Sequence, residues 1–235
     1  MDALKELVEK LEHAYSDRLV SVILYGSAAN HGDKFSDLNV LCVLKQITPR
    51  ELGEGEPILN WWRGHGHPSP LLMSEEEAYN SSDSFPIEFR DMKDQRKLLY
   101  GLDVIADVHV DTRYHRAQVE HELRSKLLRL RQQGARVLSD SPALLRLCVD
   151  SVSTFCVLGR HALLLAGMDP GTDRRDVAHR LRETLGAGAS PLDVLLDIRE
   201  GRPDVDPGDP ADLFARYLEF IRRIVEFVDR MEDKR

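Results

Sequence analysis

Leu4, Leu7, Val8 and Leu11 recur at the spacing of one helical face, so residues 2–15 predict an amphipathic helix, with Asp2 placed to cap its start. Two short apolar runs follow, 19–24 and 38–44, and read as strands separated by a Gly-Ser turn and a polar connection. Thr48, Pro49 and Glu51 form a capping-box pattern that starts a helix toward Trp61 and Trp62, although Gly53 and Gly55 weaken it and Pro57 is a point of restart. Residues 71–73 predict a short strand, and Ser74 with Glu77 forms a second capping box opening a short helix. Along 85–92, apolar Ile87 and Phe89 alternate with polar Glu88 and Arg90. That alternation predicts a strand with one wet face, on which Glu88 points away from the core. Residues 104–110 predict a last short strand that closes the sheet.

From residue 111 onward the apolar period changes from two to about 3.6. Val119, Leu123, Leu127 and Leu130 mark a helix over 112–136. Ser141-Pro142, Ser190-Pro191 and Asp209-Pro210 each give an N-cap followed by Pro at the first helical position, and so open further helices. Helices of this kind hide their apolar stripes against one another. The expected architecture is therefore an α+β domain with a mixed sheet over 1–111, followed by a helical bundle over 112–235. The loop 202–208, rich in Pro, Asp and Gly, is the least ordered stretch of the second half.

Composition narrows the function classes. The chain has 235 residues, 42% hydrophobic and 31% charged, with a formal net charge of −8. That charge argues against binding long nucleic acids, which rely on phosphate neutralisation. No apolar run approaches the ~20 residues needed to span a bilayer, and the first residues lack a basic region followed by an apolar one, so the expected location is cytoplasmic. Cys42, Cys148 and Cys156 lie in apolar stretches with no Cys-x-x-Cys spacing and read as reduced core residues.

Chemistry concentrates between the first two strands. Gly26 permits a sharp backbone bend, and Ser27 adds a hydroxyl and an N–H, a pairing suited to phosphate oxygens. In an extended strand Asp37 and Asn39 face the same way, presenting two oxygen ligands at a spacing that suits a hard cation such as Mg²⁺. Tyr25-Gly26-Ser27, nine intervening residues, then Asp37-Leu38-Asn39-Val40 resembles the motif of the polymerase-beta-like nucleotidyltransferase superfamily. The resemblance covers residues 20–92. One position departs from it, because Asn39 stands where that family has its second metal carboxylate. The resemblance implies that Gly26 and Ser27 hold the triphosphate, that Asp37 and Asn39 bind metal, and that Glu88, in its Ile-Glu-Phe setting, is the third acid. The two-part arrangement is similar to that of kanamycin nucleotidyltransferase and to fused pairs of a small nucleotidyltransferase with a helical partner.

Other clusters have plainer readings. The helix at 112–136 is basic, and its Glu120/Arg124 and Glu122/Lys126 pairs are in the favourable i,i+4 order, so part of that charge is structural. Arg124 and Lys126 are the candidates there for reaching a triphosphate. His65-Gly66-His67 lies in a Gly/Pro-rich loop with no third ligand suggested nearby. Trp61 and Trp62 read as one partly exposed and one buried ring at a helix end.

The leading expectation is a nucleotidyltransferase-like enzyme that binds a nucleoside triphosphate, ATP first, with Mg²⁺ and serves an acceptor of unknown identity, a hydroxyl on a small molecule or a protein. A homodimer is compatible with it. The alternative, favoured by Asn39, is a catalytically degenerate nucleotidyltransferase fold that senses nucleotides or pairs with another protein.

Overall fold

The computed structural model describes residues 3–26, 28–29, 38–188 and 190–231. It divides into two compact units, Met1–Asp111 and Thr112–Arg235, the first of mixed α+β structure and the second helical among its described residues.

The first unit is built on four strands: β1 (Leu19–Tyr25), β2 (Asn39–Leu44), β3 (Leu71–Ser74) and β4 (Arg96–Gly101). They lie in the order β3-β2-β1-β4. β1 pairs antiparallel with β2 and β4, while β2 runs parallel to β3. Both faces of the sheet are covered, which is why β1 and β2 read as unbroken apolar runs. On one face Val22, Leu24, Val40, Cys42 and Leu44 pack against α1 (Ala3–Tyr15) and α2 (Pro49–Gly64). On the other, Ile23, Leu41 and Val43 meet Ala78 of α3 (Glu75–Asn80), Phe89 and Met92 of α4 (Pro86–Asp94), and the apolar residues of the 104–108 segment.

Both capping boxes form, at Thr48 and at Ser74. α2 runs unbroken through Pro57, so that proline does not restart it. Gly55 has a packing reason, unlike Gly53: a Cβ on it would lie 2.2 Å from the Tyr15 hydroxyl, which donates to the Glu51 carbonyl at 3.0 Å and ties α1 to α2.

Two strand expectations fail. Residues 85–92 form helix α4, with Pro86 in its first turn. Four alternating positions fit either period, and the deciding signals are Pro86, which favours the first helical position, and the three-residue spacing of fully buried Phe89 and Met92. Residues 104–110 form turns and irregular structure rather than a strand. Val104, Ile105 and Val108 are buried there, but they cover α4 and the sheet face without joining the ladder. The fourth strand is instead β4, a half-exposed edge whose Leu98, Leu99 and Tyr100 carry little alternation.

The second unit contains α5 (Thr112–Val137), α6 (Ser141–Leu165), α7 (Arg174–Thr184), α8 (Pro191–Arg199) and α9 (Pro210–Asp229). α6 lies at its centre, in contact with all four others. By length and composition α6 is apolar enough to cross a membrane. Here Cys148, Val152, Phe155, Cys156 and Ala162 are buried within the unit. Ser190 and Asp209 cap α8 and α9 as the sequence predicts, whereas Asp140, not Ser141, caps α6. α7, capped by Asp173, was not anticipated; its apolar positions are few, Val177, Ala178 and Leu181.

Candidate nucleotide site

β1 ends at Tyr25, and Gly26 turns the chain with φ +79°, a left-handed conformation that glycine adopts at little cost. The turn is held from two sides. The Gly26 N–H donates to the carbonyl of Gln95, the residue that caps the C-terminus of α4, at 2.9 Å. The Gly26 carbonyl accepts from the N–H of Ala29, also at 2.9 Å. Ser27 and Asp37, the two residues expected to complete the turn and the metal pair, lie outside the described residues, as does the Asp2 cap.

Asn39 opens β2 directly opposite Tyr25. Residues paired across an antiparallel ladder project to the same face, and Asn39 shares the face of Leu41 and Val43, against which α4 packs. A Cβ added to Gly26 would stand 3.5 Å from Asn39 Nδ2. The amide therefore sits beside the turn.

Glu88 comes to this face from a helix, not from the neighbouring strand that the resemblance implies. It lies in the first turn of α4, and its Oε2 is buried without a hydrogen-bond partner among the described residues. Glu88 does not point away from the core on a wet strand face as expected. Its charge reaches Tyr25: burial pushes the Tyr25 hydroxyl up to about 12, and the negative charges of Glu88 and then Asp91 add to the shift.

Three neighbours of the turn have no role in the sequence reading. Tyr25 immediately precedes the Gly-Ser pair, and Asp91 lies one helical turn after Glu88, a relation visible only once 86–94 is read as a helix. Arg96 is the third. Its guanidinium binds both Asp103 carboxylate oxygens at 2.9–3.0 Å and donates to the Lys93 carbonyl at 2.8 Å, clamping the end of α4 next to Gln95.

The remaining candidates are occupied locally. In the helical unit Arg124 contacts Glu120 at 2.8 Å and Asp229 at 3.0 Å, and Lys126 contacts Glu122 at 3.5 Å. His65 Nδ1 lies 2.9 Å from the Trp61 carbonyl, and the His67 ring is 4.3 Å from that of Trp62, so the His-Gly-His loop is a packing feature. Trp62 is fully buried and donates to the Pro68 carbonyl at 2.9 Å, while Trp61 is partly exposed. Burial pushes the thiols of Cys42 and Cys156 up to about 12, and all three cysteines are buried and unbridged. Among the described residues no three His, Cys, Asp or Glu side chains group closely enough to hold a metal ion.

Fold and site together define an α+β unit with a glycine turn at the end of β1 beside the Asn39 amide, and a helix-borne carboxylate, Glu88, whose charge reaches Tyr25. No protein-family model matches the chain, and a search of curated proteins finds no match.

Proposed function

We propose that this protein is a nucleotidyltransferase-like enzyme that binds a nucleoside triphosphate, ATP foremost, with Mg²⁺ and transfers a nucleotidyl group to a hydroxyl-type acceptor. The observation that carries the reading is the left-handed turn at Gly26 beside the Asn39 amide, with the charge of Glu88 reaching Tyr25, the residue before the turn. In this reading Gly26 and Ser27 approach the β- and γ-phosphates through backbone and hydroxyl groups. Asp37, Asn39 and Glu88 supply hard oxygen donors of the kind Mg²⁺ takes, and the buried, unpartnered Oε2 of Glu88 fits that role. The ion, when bound, neutralises triphosphate charge. Glu88 accepts the acceptor's proton as its oxygen attacks the α-phosphorus, and the bond to the bridging oxygen breaks, sending pyrophosphate away with the electron pair.

Asn39 favours a second reading, a catalytically degenerate relative that senses nucleotides or serves as a protein-interaction module. A neutral amide attracts a cation only through its dipole, and a glutamate in the first turn of a helix also has a structural reason to be there. Titration calorimetry of the full chain with ATP and GTP, with and without Mg²⁺, separates the two when combined with pyrophosphate release across candidate acceptors. Mg²⁺-dependent binding with pyrophosphate release supports the enzyme. Metal-independent binding, or none, supports the degenerate form.

A further inference from the structure

Lys10 places its Nζ 4.9 Å from the centroid of the Trp61 indole and 3.4 Å from a carboxylate oxygen of Glu6. Both residues line an open groove of about 610 Å³ between α1 and α2. Its floor is apolar, with Pro57 and Ile58 beside the indole, and Glu6, Glu9 and Glu54 stand around it. The indole is fixed from behind, its ring 4.7 Å from that of His65. An aromatic face ringed by carboxylates is a place for a cation.

We propose that this groove docks an arginine-bearing segment of a partner protein, whose guanidinium replaces Lys10 over Trp61. The occupant follows from charge and shape. Glu54 is already held by Arg18 at 2.5 Å and Arg50 at 2.9 Å, so it stays with the fold. Among the described residues Glu6 and Glu9 make partly exposed i,i+4 contacts to Lys10 and Lys5, at 3.4 and 3.9 Å, which are weak and easily exchanged. When Lys10 swings aside, the indole face and the Glu6 carboxylate become available together, with Glu9 on the same rim. A guanidinium suits that combination better than an ammonium, because it is planar, stacks on an aromatic face and binds carboxylate through two N–H groups. Pro57 and Ile58 offer contact to an apolar residue flanking the arginine, which a free cation lacks. The site is separate from the Gly26 turn and does not depend on the nucleotide reading.

The test uses the full chain and a blocked hexapeptide alternating Arg and Leu, with Lys/Leu and Glu/Leu counterparts and free arginine amide as comparators. Binding is followed by calorimetry and by Trp fluorescence; the two indoles are 6.0 Å apart, so a fluorescence change is assigned to Trp61 by its loss in Trp61→Leu. The Arg peptide should bind about tenfold tighter than the Lys peptide, and the Glu peptide should not bind. Trp61→Leu and Glu9→Gln should each weaken it about three- to fivefold, and Lys10→Met should tighten it by a similar factor. If Trp61→Leu does not fold, the Glu9 and Lys10 variants decide. Equal affinity for the Arg and Lys peptides, weaker binding by Lys10→Met, no binding at all, or arginine amide binding as well as the peptide would each overturn the proposal.

Discussion

Gly26 follows the Tyr25–Asn39 pair at the end of the β1–β2 ladder, and the position of a Cβ on the glycine lies 3.5 Å from the Asn39 amide nitrogen. A side chain at residue 26 would be strained by the left-handed φ and would fill the space beside the amide. Gly26→Val should therefore cost about 1–2 kcal/mol in the turn and weaken ATP binding by about tenfold or more. Arg124→Ala should leave it nearly unchanged, since that side chain is half exposed and its ion pairs with Glu120 and Asp229 lie within the helical unit. Calorimetry on both variants checks this. Equal losses would move the triphosphate away from the glycine turn.

Acid stability should be governed in part by Glu51. The Thr48 hydroxyl, and then the Arg18 guanidinium, hold the Glu51 carboxyl at about 2, below its ordinary value of 4.5. The folded form thus releases a proton that the unfolded chain retains as pH falls. The stabilisation is complete above pH 4.5 and is lost as pH drops through that value toward 2. Glu51→Gln should lower the melting temperature at pH 7 and flatten its dependence on pH within this window. Thermal melts from pH 7 down to 2 measure both effects. An unchanged slope would mean that another carboxylate dominates.

In the helical unit, a Cβ on Gly134 would lie 2.3 Å from Cζ of Phe214, a buried ring on α9. In the last turn of α5 alanine gains at most about 1 kcal/mol of propensity over glycine, but overpacking costs about 1–3 kcal/mol. The steric cost wins. Gly134→Ala should lower the melting temperature by about 2–6 °C, and adding Phe214→Leu should restore part of the loss. Additive effects of the two substitutions would show that the crossing of α5 and α9 can relax around the methyl group.

The parts of the fold that were legible had a signal and a burden pointing the same way. Leu7 and Leu11 on α1, the buried runs of β1 and β2, and the caps Thr48, Ser74, Ser190 and Asp209 each combine a local motif with a face that must be buried. β4 was missed because an edge strand buries only half its surface, so Arg96–Gly101 does not alternate clearly. The 104–108 segment misled for the opposite reason: it is buried without pairing, and apolar content alone does not distinguish a strand from a packed loop. At the site, Gly26 and Asn39 were recognisable from the turn and the strand start. The setting of Glu88 was not, because Ile87-Glu88-Phe89 fits a period of two as well as the opening of a helix, and only Pro86 and Met92 decide between them. Arg96 was invisible for want of a local pattern, since its ligand Asp103 meets it only through the bend after β4.

Asn39 is where the proposed site can be challenged most directly. Phosphoryl transfer assisted by a metal needs anionic ligands to keep the cation in place while charge moves onto the leaving pyrophosphate. Asparagine and aspartate are nearly isosteric, so Asn39→Asp should leave the β1–β2 pairing and the melting temperature close to those of the wild type. It introduces a full negative charge beside the Gly26 turn. Mg²⁺ or Mn²⁺ should consequently bind more tightly without nucleotide, by about tenfold if the added charge contributes about 1.4 kcal/mol. Asp37→Asn should weaken the metal and remove whatever transferase activity exists. Glu88→Gln should weaken the metal, and with it Mg²⁺-dependent nucleotide binding, and should lower turnover by about 10²–10⁴-fold, the usual contribution of a general base. The measurement is metal titration of the four proteins without nucleotide, followed by pyrophosphate release with it. If Asn39→Asp leaves metal affinity where it was, residue 39 takes no part in holding a cation. The Gly26 turn would then serve phosphate or protein recognition without metal-assisted chemistry.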